Sequence, residues 1–349
     1  MGIFVFMYVA LLAMYLAANN TSLKNKKVVT LLCFLVLWLI QGLRHESIGI
    51  DSCNAYRPFF DRILVSWSDL FDIKDPPLGF EKGFYLYARF IKLVVGTNTQ
   101  LFVLLSSFIS LAPISYLIYK HSNDVVLSHI VFASFIIYYF GFSGMRQAMA
   151  IGIITLGIEM LIQKKKIKFL LLVFLASQIH TSALMFVIAY PLSCLKINKK
   201  TYIYLFGLSI FVLMVLKQIA LFFISMLFGE EKYVSYITDT VPSYNLMILL
   251  IVIFLSSLVS NDTLVARLRP ILFISILFQS LGIISTTATR IGYYFYIVMM
   301  LTIPLTISGL RYNEGKLWKG ITICLMMAFF FYCNSSGYLD VVPYKFFWE

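Results

Sequence analysis

The sequence predicts an all-α, polytopic integral membrane protein, and three observations carry that prediction. First, 60% of the 349 residues are hydrophobic and only 13% are charged, a composition outside the range of soluble domains. Second, apolar runs long enough to enter a bilayer recur along the whole chain. Third, the basic residues concentrate in alternate loops between those runs. The net charge of +12 is thereby accounted for by membrane topology, and no nucleic-acid partner is expected.

About ten runs are expected as full spans: 2–18, 28–43, 99–119, 125–141, 147–162, 202–228, 246–260, 270–287, 291–309 and 320–333. The first lacks a basic segment ahead of it and a small-residue cleavage site, so it reads as a retained span and not a signal peptide. The connecting segments fall into two classes. Segments 19–27, 120–124, 163–168, 196–200, 261–269 and 311–319 hold 16 Lys/Arg and 3 Asp/Glu. Segments 43–98, 142–146, 229–245, the turn at Arg290 and the tail 334–349 hold 11 Lys/Arg and 12 Asp/Glu. The positive-inside rule makes the first class cytoplasmic and leaves both termini outside.

Parity then decides run 167–195. Both flanks are basic, so the chain between them must go out and come back. One straight helix of that length would measure roughly 43 Å, too long for a bilayer. A short broken-helix hairpin is expected instead, broken at Ser177-Gln178-Ile179-His180-Thr181-Ser182, with Thr181 or Ser182 capping the returning half. The whole chain is expected to be one transmembrane domain, 1–349. Segment 43–98 is its large extracytoplasmic loop. Gly83 to Val95 within that loop reads as an interfacial amphipathic helix.

The polar residues cluster on the predicted outer side: Arg44, His45, Asp51, Tyr56, Glu81, Arg146, Gln147, His180 and Arg290. Arg146 stands in the first turn of run 147–162, behind Ser143 as expected N-cap. A guanidinium and a helix N-terminus facing one way favour an anion. Several such arginines suit a pyrophosphate better than a monoanion. Asp51, Glu81 and His180 are candidate proton acceptors, with His180 favoured because its ordinary pKa lies nearest neutrality. Plainer readings exist for each: Arg146 reaching lipid phosphates, Arg44 as topology anchor, Asp51 as turn cap, Glu81 paired with Lys82 or Arg89, His180 as a satisfied group at a break. Glu159 and Lys217 lie inside apolar runs, Glu159 near the basic end of its run. The five cysteines and four histidines show no metal-ligand spacing, so no metal and no cofactor are expected.

The motifs resemble a known family. Arg44 followed by Gly49-Ile50-Asp51 and Tyr56, then Glu81-Lys82-Gly83-Phe84, is similar to elements of EpsG-like proteins. Ser143-Gly144-Met145-Arg146-Gln147 with Ala150, and Ala176 with His180, Ser182 and Ala183, are similar to two more, in the same order. Arg290 and the tail Pro343 to Trp348 are weaker matches, and Cys53 stands where a small hydroxyl or an Asp/Asn is the family's pattern. The resemblance implies a Wzy-type polysaccharide polymerase (O-antigen, capsule or exopolysaccharide) with the architecture of lipid-dependent, GT-C-like glycosyltransferases. Such an enzyme joins repeat units carried on undecaprenyl pyrophosphate at the outer face of the bacterial cytoplasmic membrane. It implies Arg44, Arg146 and Arg290 on the pyrophosphate, Gln147, Tyr56 and Tyr344 on the substrate, and His180, Asp51 or Glu81 in catalysis. Expected partners are the lipid-linked oligosaccharide, the bilayer, and a flippase and chain-length regulator of the same pathway. Two other classes stay open: a flippase of lipid-linked oligosaccharides, which needs charged residues on a path to both faces, and a membrane O-acyltransferase, which needs an inner acyl-donor route.

Overall fold

The computed structural model describes residues 1–19, 25–73, 76–195, 197–205, 207–208, 244–282, 286–335 and 340–349. Most of run 202–228, loop 229–245 and Lys217 lie outside the described residues. The described chain is helical throughout, with one isolated β-bridge between Arg44 and Phe346. It divides into two compact units, Met1–Val187 with Leu310–Glu349, and Ile188–Gly309.

The first unit contains α1 (Gly2–Asn19), α2 (Lys26–Gly42), α3 (Arg57–Arg62), α4 (Lys82–Val95), α5 (Thr99–His121), α6 (Val125–Ser134), α7 (Ile136–Phe140), α8 (Met145–Ile162) and α9 (Lys166–Ile179). A π-helical turn, Ser52–Tyr56, precedes α3, and a 3₁₀ segment, Thr181–Ile188, follows α9. The second unit contains α10 (Ala189–Cys194), α11 (Tyr244–Val259), α12 (Thr263–Leu281), α13 (Thr286–Tyr296) and α14 (Met299–Ser308). The chain then returns to the first unit as α15 (Tyr312–Ser335).

The expected ten spans are not reached. Among the described residues, four helices are long and apolar enough to cross a membrane: Thr99–His121, Met145–Ile162, Thr263–Leu281 and Tyr312–Asn334. A fifth is added if the pair Thr287–Tyr296 and Met299–Ser308, bent by 42°, counts as one. The reason is visible in run 125–141. Every residue of α6 is buried, and the helix stops at Ser134, whose hydroxyl donates to the Ile130 carbonyl at 2.7 Å and meets the Tyr8 hydroxyl at 2.8 Å. Phe135 is extended (φ −89°, ψ 157°) before α7 begins. A helix wrapped by protein tolerates such a break, because its freed backbone groups find protein partners and not lipid. The run is apolar because it is core, not because it faces lipid. Around it Phe4, Tyr8, Phe142, Phe330 and Tyr344 interlock in edge-to-face and tilted pairs, with centroids 5.2–6.4 Å apart.

Run 167–195 breaks within the expected polar cluster. α9 ends at Ile179 and His180 is extended (φ −153°, ψ 113°). The rings of Phe169 and Phe186 then stand 6.0 Å apart. A straight path through His180 would separate them by roughly 28 Å, so the chain turns back there. Thr181 does not cap the returning half in the expected way, since its hydroxyl points to Glu81.

Candidate active site

The site is assembled by close backbone approaches that glycine allows. At Gly49 (φ +87°) a Cβ would lie 2.0 Å from the Phe142 carbonyl oxygen, so a side chain is excluded both by conformation and by space. This approach presses the loop after α2 against the turn before α8. The Asp51 N–H donates to the Ser143 hydroxyl at 3.0 Å. Ser143 is therefore occupied by the loop, and the N-cap of α8 is Gly144, not Ser143. At Gly83 a Cβ would lie 2.6 Å from both the Cβ and the carbonyl oxygen of Gln178. The first turn of α4 thus rests directly on the end of α9, and that contact brings Glu81 to the break at His180.

Glu81 is the N-cap residue of α4, yet its carboxylate does not cap the helix. It points to two other segments instead. Oε2 accepts from Arg146 Nη1. Oε1 faces His180 Nδ1 at 3.1 Å and accepts from the Thr181 N–H at 2.9 Å and the Thr181 hydroxyl at 3.3 Å. Burial raises the Glu81 carboxyl, but His180, the Thr181 N–H and Arg146 outweigh it and hold the group down at about 2. Glu81 is thus ionised at neutral pH and can only accept, so His180 Nδ1 is the donor. In the neutral ring, Nε2 then carries the lone pair.

Arg146 lies at the positive end of α8, where a cation is unfavourable unless an anion answers it. Glu81 supplies that anion. The guanidinium is also boxed by aromatic faces, Phe80 at 4.3 Å, Tyr56 at 5.9 Å and Phe84 at 6.0 Å. Its Nε donates to the Tyr56 hydroxyl at 3.4 Å, and burial pushes the Tyr56 phenol up, keeping it neutral. The three side chains remain partly open to solvent: Arg146 is 19%, Glu81 15% and His180 26% exposed.

The other expected residues are placed as follows. Asp51 is half-buried beside the π-turn that carries Tyr56, and Gln147 is buried. Arg44 is wholly enclosed: Nη1 donates to the Gln41 carbonyl at 2.5 Å and Nη2 to the Ser52 hydroxyl at 3.3 Å, and Phe142 covers its face at 5.6 Å. Burial and nearby Arg57 push its guanidinium down to about 9, which leaves it charged. Tyr344 donates to the Ile40 carbonyl at 2.7 Å. The tail around it is stitched to the same loop by His45 N–H to Lys345 O (3.0 Å), Phe347 N–H to Leu43 O (2.9 Å) and Gly49 N–H to Asp340 O (3.1 Å). Arg290 is exposed on α13 of the second unit.

Phe80, Phe84 and the donors of Thr181 are site groups that sequence reasoning did not single out as such. The aromatics flanking Glu81 in Phe80-Glu81-Lys82-Gly83-Phe84 were the available signal. The alternative partners of Glu81, Lys82 and Arg89, are not the ones used: Arg89 lies 3.6 Å from Asp69. Among the described residues, no three His, Cys, Asp or Glu side chains are grouped to hold a metal ion.

A family model described as EpsG family matches residues 27–346. No curated protein and no solved structure matches the chain.

Proposed function

The chain belongs to the EpsG family, and on that premise we propose that it polymerises oligosaccharide repeat units carried on undecaprenyl pyrophosphate. The family and the apolar helices support an integral membrane protein of polysaccharide biosynthesis. The observation that carries the finer reading is the meeting of Arg146, Glu81 and His180 at one half-open point. These three groups come from three separate motifs and supply the three functions that glycosyl transfer from a diphosphate requires.

In this reading the acceptor hydroxyl attacks the anomeric carbon of the lipid-linked donor. The bond from that carbon to the diphosphate oxygen breaks, and its electron pair leaves with the diphosphate. Arg146 holds the departing anion through its planar fork, assisted by the positive end of α8. The hydroxyl proton passes to His180 Nε2. Glu81, on Nδ1, fixes the ring and stabilises the imidazolium that forms, as a carboxylate does in other oriented-histidine sites. Asp51, Tyr56 and Gln147 sit on the elements that frame this point and are assigned to sugar contacts. Arg44 and Tyr344 brace the loop from beneath. The Lys/Arg distribution of the loops supports a place for the site at the outer face of the cytoplasmic membrane.

The test is polymer length in cells that lack the native gene and express variants at equal level. His180→Gln and Arg146→Lys should each abolish the long polymer, Arg146→Lys because a point charge cannot replace the bidentate fork. Full-length polymer from His180→Gln would remove the histidine from catalysis and return the proposal to Asp51.

A further inference from the structure

The two carboxylate oxygens of Glu81 are held unequally. Among the described residues, Oε1 has three polar partners on the 180–181 turn, while Oε2 has the Arg146 guanidinium alone. Glu81 can therefore release Arg146 by a small rotation without losing its anchor on His180 and Thr181. The pair is also accessible, with both side chains partly exposed, so an incoming anion can reach it. The guanidinium has five N–H groups, of which those directed at Tyr56 and Glu81 are two. Its aromatic neighbours, Phe80, Tyr56 and Phe84, lie 4.3–6.0 Å away and offer it a face to slide along as it changes anion.

We propose that Glu81 is an exchangeable internal anion, which neutralises Arg146 while the site is empty and yields it to the diphosphate of the donor. The inference rests on the diphosphate-dependent reading above and adds a coupling to it. A diphosphate carries more charge and more acceptor oxygens than one carboxylate, so it displaces Oε2 where a monoanion does not. Once Arg146 has turned to the diphosphate, Glu81 loses its positive neighbour and keeps its contact with His180. Its charge then acts on the imidazole alone and makes Nε2 a stronger proton acceptor. Donor binding thereby frees Glu81 to serve His180 alone. Glu81 is in this sense a positioning residue, acting through Arg146 and His180.

The proposal has a consequence opposite to that of a structural or substrate-binding carboxylate. Glu81→Gln keeps shape and hydrogen bonding to Thr181 but removes the competing anion. Purified protein in detergent, titrated with undecaprenyl pyrophosphate, should bind it about two- to fivefold more tightly in Glu81→Gln than in wild type, the size of one partly exposed ion pair. The same variant should turn over lipid-linked repeat units at least tenfold more slowly at saturating donor. Unchanged or weaker affinity in Glu81→Gln overturns the exchange. A second measurement needs no variant: infrared difference spectra of wild type should show a carboxylate stretch shift when the diphosphate is added, and the absence of any shift overturns it equally. Failure of wild type itself to bind undecaprenyl pyrophosphate, with Arg146→Ala making no difference, would instead strike the polymerase reading and the exchange together.

Discussion

Helix α8 has a histidine–carboxylate contact near each of its ends, and the two differ in the burial of the carboxylate and in whether a cation joins it. Near the C-terminal end, Glu159 meets His121 Nε2, and the Gln163 amide donates to its other oxygen. That carboxylate is 5% exposed, and its partners are the last turn of α5 and its own helix. A carboxylate there opposes the helix dipole, so it needs these donors to be buried at all. Near the N-terminal end, roughly 20 Å away along the helix, Arg146 with Glu81 and His180 is partly open, joins three segments and faces the end of the dipole that attracts anions. The lesson is that a histidine beside a carboxylate does not mark a site. A cation with donors to spare and a helix end that attracts anions do.

The largest effect should come from replacing the histidine at either end. His180→Gln should lower polymer formation by about 10²–10⁴-fold with normal abundance, the usual worth of a positioned general base. His121→Gln should leave the rate per molecule within about twofold and act on stability alone. Quantifying polymer against immunoblotted protein in the same membranes checks both. Equal losses of rate would erase the distinction between the two ends.

Next in size are the helix contacts. Gly83→Ala forces its Cβ against Gln178 at 2.6 Å, both side chain and backbone, and should separate α4 from α9. A loss of about 1–3 kcal/mol is expected for such overpacking, together with most of the polymer, because Glu81 moves with the turn. Gly157→Ala, inside α8, meets nothing closer than 3.7 Å and should be neutral or slightly stabilising. Thermal unfolding in detergent, read beside polymer yield, separates the two. Glu159→Gln should lower the unfolding midpoint by a few degrees, about 1–3 kcal/mol for a buried charged hydrogen bond, with polymer per molecule retained.

The smallest expected effect is on pH dependence. Glu81 titrates at about 2 in the folded protein against 4.5 for an ordinary glutamate. A depressed carboxyl contributes stability that is full above the ordinary value and is lost as pH falls toward the folded one. Wild type should therefore lose part of its stability between about pH 4.5 and 2, and Glu81→Gln should show a shallower fall across that window. An identical acid slope in both proteins would mean that Glu81 is not held as described.

The same comparison explains what the sequence made legible. Each motif of the site carries a glycine or a polar residue out of place in an apolar chain: Gly49 and Asp51, Glu81 and Gly83, Gly144 and Arg146, His180. Those residues, their order and the break at His180 could be read directly. Their pairing could not. Gly83 is plain in the sequence, but that Gln178 lies opposite it is a tertiary fact, and with it the choice of Arg146 over Lys82 or Arg89 as the partner of Glu81. Arg44 shows the converse. As an arginine just after an apolar run it looks like a rim residue, and only packing reveals that the Gln41 carbonyl, Ser52 and the C-terminal tail enclose it. The span count failed for a related reason. Hydropathy does not distinguish a helix wrapped by protein from one wrapped by lipid, and run 125–141 is the former.

Arg146, Glu81 and His180 are proposed to act as one unit on a lipid diphosphate donor. The most direct measurement is single-turnover transfer by purified protein in lipid vesicles, supplied with an undecaprenyl-pyrophosphate-linked repeat unit. Wild type should release one undecaprenyl pyrophosphate for each new glycosidic bond. The double variant Glu81→Gln/His180→Gln should be no slower than His180→Gln alone, because groups that act together lose their effect together. Losses that multiply, or release of undecaprenyl pyrophosphate at the wild-type rate by His180→Gln, would contradict it.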